Sequence, residues 1–196
     1  MGESVDMNAL FRDATVSSLG QTLASESTPL GQRFRALFSL KHLASQAPEN
    51  HQTLEAIQAI AATFTSPSAL VKHELAYCLG QTKNTHAAIY LRQVLEDRTQ
   101  DEMCRHEAAE ALAALGDASS LDLMRQIKDD AQEPEVVRET CDIAVDKLVW
   151  AGSEEASQES IKQRFAGLAM PRQILTFLVI SPRLIQLLHS RVKAKR

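Results

Sequence analysis

The 196-residue chain has few turn-forming residues and few aromatic ones. It contains seven glycines and six prolines, and aromatic residues make up 5% of it. A barrel or sandwich of short strands needs more turn-forming residues than this. Alanine, leucine, glutamine and glutamate are abundant, and all of them favour helix. The composition therefore predicts an all-α fold, and a hydrophobic content of 44% excludes disorder as the main state.

Cysteines and long apolar runs are also scarce. The cysteines are three in number, Cys78, Cys104 and Cys141, and none belongs to a CxxC pair. We therefore expect reduced thiols and a reducing compartment. No apolar run approaches the ~18–20 residues that cross a bilayer, and the first residues are acidic where a targeting peptide is basic. These absences predict a cytoplasmic protein with no membrane span.

Acidic residues are absent after Glu159. Up to that residue the chain carries 13 basic and 25 acidic side chains, a net charge of −12, and after it come eight basic side chains. A body of this charge repels phosphate backbones, so we expect no nucleic-acid partner. An acidic surface suits a cationic, polyamine-like partner instead.

Four segments of the chain align without gaps. They are RFRALFSL from Arg33, KHELAYCL from Lys72, RHEAAEAL from Arg105 and RETCDIAV from Arg138. Their starts are 39, 33 and 33 residues apart, which is the length of a two-helix repeat. A second amphipathic stretch precedes each segment, at 7–24, 54–64, 86–96 and 119–128. One aligned position predicts the shared core, and its members are Leu40, Leu79, Leu112 and Val145.

This pattern predicts an α-solenoid of about four HEAT-like helical hairpins plus a C-terminal tail. Turn residues such as Pro67, Gly116 and Pro134 separate the stretches, and the two prolines stand where a helix can begin. We expect a repeat lobe over 1–150, a polar linker over 151–160 and a basic, partly apolar tail over 161–196. The tail is either accidental sequence or a basic amphipathic helix for a membrane surface or a partner.

The two middle segments carry a His-Glu pair at the same register. The pairs are His73-Glu74 and His106-Glu107. With six histidines and fifteen glutamates, one such dipeptide is expected by chance, but a second at the matching position of another repeat is not. Since neighbouring helices pack about 10 Å apart, we expect two imidazoles and two carboxylates to converge. That donor set suits iron or manganese. The alternative is that both pairs are solvent-facing polar residues.

Several other polar residues have simpler interpretations. Tyr77 and Glu110 lie one turn after the registered histidines, where they either orient an imidazole or line a groove. The remaining histidines fall outside the register and are expected on the solvated surface: His42, His51, His86 and His189. Cys78 and Cys141 stand beside apolar helix positions and are expected in the core.

Four strings of this sequence resemble the deoxyhypusine hydroxylase family over residues 19–150. They are LVKHELAYCLGQ from Leu70, RHEAAEALAALGD from Arg105, QRFRALFSL from Gln32 and VVRETCDIAVDKL from Val136. The resemblance implies a HEAT-repeat monooxygenase that uses two Fe(2+) ions and molecular oxygen. Its expected substrate is the deoxyhypusine side chain on the precursor of translation initiation factor five-A. By motif, the residues that match the family's first two His-Glu pairs, and so its iron ligands, are His73, Glu74, His106 and Glu107.

The sequence departs from the family in its length. The family has two lobes and four His-Glu pairs, whereas this sequence resembles the N-terminal lobe only and continues into an unrelated tail. We expect a truncated product that holds at most one Fe(2+) per chain and is inactive alone. A homodimer of two such lobes would be the exception. A non-catalytic HEAT-repeat protein-interaction module is the alternative function.

Overall fold

The computed structural model describes residues 15–47 and 50–152, which form eight α-helices and no β-strand. The helices are Val16–Ala24 (α1), Leu30–Ala44 (α2), His51–Ala62 (α3), Ala69–Gln81 (α4), Ala88–Glu96 (α5), Glu102–Leu115 (α6), Leu121–Asp129 (α7) and Glu135–Gly152 (α8). The predicted all-α fold is confirmed. Across these ranges, no helix is both long and apolar enough to cross a membrane. Residues 7–14 of the first predicted stretch, 153–160 of the predicted linker and the tail lie outside the described residues.

The helices pack as successive hairpins. α1 packs on α2, α5 on α6 and α7 on α8, while α3 packs on both helices of the first hairpin. The second helices also pack on each other in chain order, α2 on α4, α4 on α6 and α6 on α8. The predicted core position is buried in all four repeats, at Leu40, Leu79, Leu112 and Val145. The molecule is therefore an α-solenoid whose second helices share one layer.

Local sequence sets most of the helix ends. The Ser68 hydroxyl accepts a hydrogen bond from the Val71 backbone N–H and begins α4, and Asn50 and Thr53 form a capping box at α3. Gly116 ends α6 in the left-handed conformation, with φ of 72°. Pro67 precedes the Ser68 cap, so the prediction that it opens a helix was two residues early.

The predicted first stretches differ from the helices in their bounds. The third and fourth stretches begin in short 3₁₀ turns at Thr85–Ala87 and Ala118–Ser120, and only then continue as α5 and α7. The second stretch ends in another 3₁₀ turn, Thr63–Thr65. At the other end of the described chain, α8 continues two residues into the predicted linker, to Gly152.

The arginine that opens three of the four aligned segments joins the two helices of its hairpin. In three repeats the arginine Nε donates to the backbone carbonyl ten residues earlier. The pairs are Arg33 to Leu23 at 2.8 Å, Arg105 to Leu95 at 2.9 Å and Arg138 to Lys128 at 3.2 Å. Each accepting residue is the penultimate residue of the preceding helix. Its carbonyl has no partner within that helix, so the guanidinium satisfies it and adds a positive charge at the negative end of the helix dipole.

Two of these arginines also connect neighbouring repeats. Arg33 pairs with Glu26, and Ser66 of the next hairpin donates to the same carboxylate at 2.7 Å. Arg105 pairs with Glu133, which lies just before α8 in the next hairpin. The Arg105 and Glu133 side chains are each 3% exposed, so the charges are removed from water as a pair. These contacts fix the second helix of one repeat relative to the next.

Gly80 allows α4 and α6 to approach closely. A Cβ atom added at Gly80 would lie 2.8 Å from both the Cα and the Cβ of Ala111. Real Cβ atoms do not come this near to a neighbouring backbone, so only glycine permits this packing. The close approach brings together the two helices that carry the registered His-Glu pairs.

We expect G80A to destabilise the protein by about 1–3 kcal/mol, although alanine favours helix over glycine. The added methyl group must push α4 away from α6. G31A is the matched control, since a Cβ there meets nothing within 4 Å and should stabilise the protein by about 0.5–1 kcal/mol. Urea unfolding measures both free energies. A gain in stability for G80A equal to that for G31A would contradict the packing argument.

Candidate metal centre

Three side chains on α6 bring nitrogen and oxygen donors together. His106, Glu107 and Glu110 each offer one ligand atom, and these atoms lie within 4.8 Å of one another. The spacing follows from the helix. His106 and Glu110 are four residues apart and stand on the same face, and Glu107 lies at the edge of that face. Of the predicted ligands, this group includes His106 and Glu107, and it adds Glu110. His73 and Glu74 are not part of it.

The other predicted pair, His73-Glu74, lies on α4 and reaches the same place. His73 Nε2 lies 3.2 Å from a carboxylate oxygen of Glu107, and His73 Nδ1 lies 3.5 Å from Glu74. A histidine from one repeat therefore contacts the glutamate of the next, as the shared register predicted. The His73–Glu107 contact thus joins the two predicted pairs across the α4–α6 contact, and the role of the four residues as metal ligands stays a prediction.

His106 is held from the opposite side by α8. Its Nδ1 lies 2.6 Å from the hydroxyl oxygen of Thr140. Its Nε2 faces the other way and lies 3.8 Å from a carboxylate oxygen of Glu110. The ring therefore presents Nε2 to the acidic side of the site. The donors are imidazole nitrogen and carboxylate oxygen with no sulfur, which fits a cation such as iron or manganese.

Glu107 is the most strongly perturbed acid at this site. Burial, reinforced by the neighbouring carboxylates of Glu110 and Glu74, raises the pKa of Glu107 to about 7. Its side chain is only 9% exposed, so water solvates the negative charge poorly. A cation placed among these carboxylates would remove both the desolvation cost and the repulsion. Lys147 of α8 also interacts with Glu110, and burial lowers the pKa of Lys147.

An open groove lies beside the donors. Its volume is about 440 Å³, and its lining residues are Tyr77, Gly80, Gln81, Lys83, Glu107, Glu110, Ala111 and Ala114. Tyr77 thus lines the groove, which was one of its two predicted roles. Glu110 was not predicted to be a direct donor, although residues one turn apart on a helix lie on the same face. Thr140 was not predicted to belong to the site, although it occupies in the fourth repeat the position of Glu74 and Glu107.

Three of the four histidines predicted to lie on the surface are among the described residues. His42, His51 and His86 are exposed, whereas His189 lies outside the described residues. All three cysteines are free and buried, which confirms the core prediction for Cys78 and Cys141. Burial raises the pKa of the Cys78 and Cys141 thiols to about 12 and that of Cys104 to about 11.

The fold and the repeated donors define the class of protein. The chain is an α-solenoid of HEAT-like repeats with an acidic His/Glu site on its second helices. A sequence model described as HEAT repeats matches residues 55–145. This match spans the second, third and most of the fourth hairpin, which include both registered pairs.

Over most of its length the chain is similar in sequence to proteins named deoxyhypusine hydroxylase. It is 58% identical to the enzyme of that name from Aspergillus clavatus over 83% of this chain and 48% of the relative. It is 61% identical to the one from Aspergillus fumigatus over 76% of this chain and 45% of the relative. A human deoxyhypusine hydroxylase structure, in complex with glycerol, superposes with a TM-score of 0.61 at 40% identity, over 80% of this chain and 47% of the human one. The chain thus spans about half the length of the curated relatives it matches.

The high pKa of Glu107 predicts how the stability of the metal-free protein depends on pH. The folded state binds this proton more tightly than the unfolded state, whose glutamate has a pKa near 4.5. Stability is therefore lost as pH rises from about 4.5 to about 7 and is not regained above that. E107Q removes the ionisation, so near pH 8 we expect it to be more stable than the wild type by about 2–3 kcal/mol.

Urea unfolding between pH 5 and pH 8, with a chelator present, measures this difference. E139Q is the control, because Glu139 is exposed, and its difference from the wild type should stay constant over the range. If the E107Q difference also stays constant with pH, Glu107 does not carry the burial cost described above.

Proposed function

We propose that this chain is an iron-binding lobe of a deoxyhypusine hydroxylase. The observation that carries the proposal is the meeting of His73 from α4 with Glu107 from α6, beside the cluster formed by His106, Glu107 and Glu110. Homology to proteins of that name supports the reaction and the substrate class. The proposed substrate is the deoxyhypusine side chain on the precursor of translation initiation factor five-A, and the proposed product is hypusine.

Each part of the site has a distinct task in this proposal. His73, Glu74, His106 and Glu107 would hold Fe(2+), with Glu110 as a further donor. The iron would supply the activation of molecular oxygen. The acidic groove would bind a cationic side chain, since Glu107 and Glu110 line it together with the half-exposed Tyr77. Carboxylates around the groove would orient the substrate amines and keep them charged.

The number of registered pairs bears on how much metal this lobe holds. The chain spans about half of its relatives, and in the described residues the His-Glu register occurs in two of the four repeats. We therefore propose that one chain holds at most one Fe(2+) and has little activity unless a second lobe completes the site. A homodimer would be one source of that lobe. The free cysteines suit a reducing compartment, and we propose a cytoplasmic location.

A non-catalytic interaction module is the second candidate function. The second helices of three repeats expose an apolar side chain at one aligned position, which is held by Phe38, Tyr77 and Ile143. Such a row is typical of a surface that contacts another protein. Iron content separates the two candidates, because this module needs no metal.

We expect H106A to abolish iron binding and to leave the helical circular dichroism unchanged. His106 is partly exposed, so its loss removes a donor without opening a core cavity. H86A is the matched control, since His86 is exposed and lies outside the cluster of donors. Iron is measured by elemental analysis after anaerobic loading. Equal iron content in both variants would refute the ligand assignment.

We expect the unmodified protein to be a monomer that carries no more than one iron and hydroxylates at background level. The measurements are iron per chain, mass in solution and single-turnover hydroxylation of a deoxyhypusine-bearing protein. A dimer with two irons and full activity would overturn the half-site argument but support the proposed reaction. An iron-free chain after loading would favour the interaction module.

A further inference from the structure

Thr140 occupies a registered position without carrying a metal-binding side chain. It aligns with Glu74 and Glu107 of the two middle repeats, and it is buried. Its hydroxyl oxygen lies 2.6 Å from Nδ1 of His106. The same hydroxyl lies 2.7 Å from the backbone carbonyl of Val136, one turn earlier on α8, and donates to it. The contact with the carbonyl has the usual length of an O–H···O hydrogen bond, and the contact with the imidazole is slightly shorter than a typical N–H···O bond.

A hydroxyl has a single hydrogen, and this fixes its role toward His106. Because that hydrogen is donated to the Val136 carbonyl, Thr140 can only accept from the imidazole. Nδ1 must then carry the ring proton. In a neutral imidazole the lone pair is left on Nε2, which is the nitrogen that faces Glu110.

We propose that Thr140 is a positioning residue for the metal centre. It holds His106 in the Nδ1–H tautomer and fixes the ring, so that Nε2 is ready to bind the cation. This inference rests on the proposed function for its purpose, although the hydrogen-bond argument itself uses only this chain's atoms. Groups that orient a ligating histidine in this way typically contribute 10–100-fold to metal affinity. The Thr140 hydroxyl of the fourth repeat thus orients the His106 ring of the third.

The test compares T140V with T140S. Valine keeps the shape of threonine and removes the hydroxyl, whereas serine keeps the hydroxyl. We expect T140V to weaken the binding of Fe²⁺, titrated alone under anaerobic conditions, by about 10–100-fold, and T140S to stay within about threefold of the wild type. T22V is the matched control, because the Thr22 hydroxyl also donates to a carbonyl one turn earlier, that of Ser18. Thr22 lies on α1, whereas the proposed donors lie on α4 and α6.

The second readout needs no metal. Nitrogen-15 NMR of the histidines at pH 8 reports which ring nitrogen of His106 carries the proton. We expect the Nδ1–H form in the wild type and T140S, and a larger share of the Nε2–H form in T140V. An Nε2–H wild type, or equal iron affinity for T140V and T140S, would overturn the inference. If the wild type binds no iron, the proposed function fails, and the tautomer of T140V still decides whether Thr140 orients the ring.

Discussion

The hydrogen bond from an arginine Nε to the carbonyl ten residues earlier fixes the geometry on which the site depends. It satisfies a helix-end carbonyl in three hairpins and so ties the end of the first helix to the start of the second. Arg105 does this immediately before His106, and its buried pair with Glu133 extends the constraint to the next repeat. The donors of α6 therefore stand on a backbone that is held from both sides.

Most of the fold could be predicted because the same sequence pattern recurs in all four repeats. Leu40, Leu79 and Leu112 share a register, and that register identifies the buried face without any knowledge of the neighbouring helices. The helix ends were harder to predict, as Pro67 and the 3₁₀ turns near Thr85 and Ala118 illustrate. They depend on which side chain caps the backbone, and several residues at each turn are able to do so.

The candidate site was predictable where the register repeats and not where it changes. His73 and His106 stand out because each is followed by a glutamate at the same place. Glu110 and Thr140 have no such repetition. Tyr77 stands at the position of Glu110 in the second repeat, and Glu139-Thr140 stands in place of the His-Glu pair in the fourth. Their relation to His106 depends on how α6 and α8 face each other, and that arrangement is a property of packing.

The depth of the three thiols has a consequence for chemical durability. Peroxide oxidises cysteine through the thiolate, and a thiol whose pKa is raised to about 11 or 12 by burial forms almost none at neutral pH. Cys78 lies on the same helix as His73, and Cys104 lies two residues before His106. Oxidants in the surrounding solution therefore meet protonated, covered sulfur atoms. The same packing that builds the repeat core thus protects these thiols from oxidation for as long as the repeats stay folded.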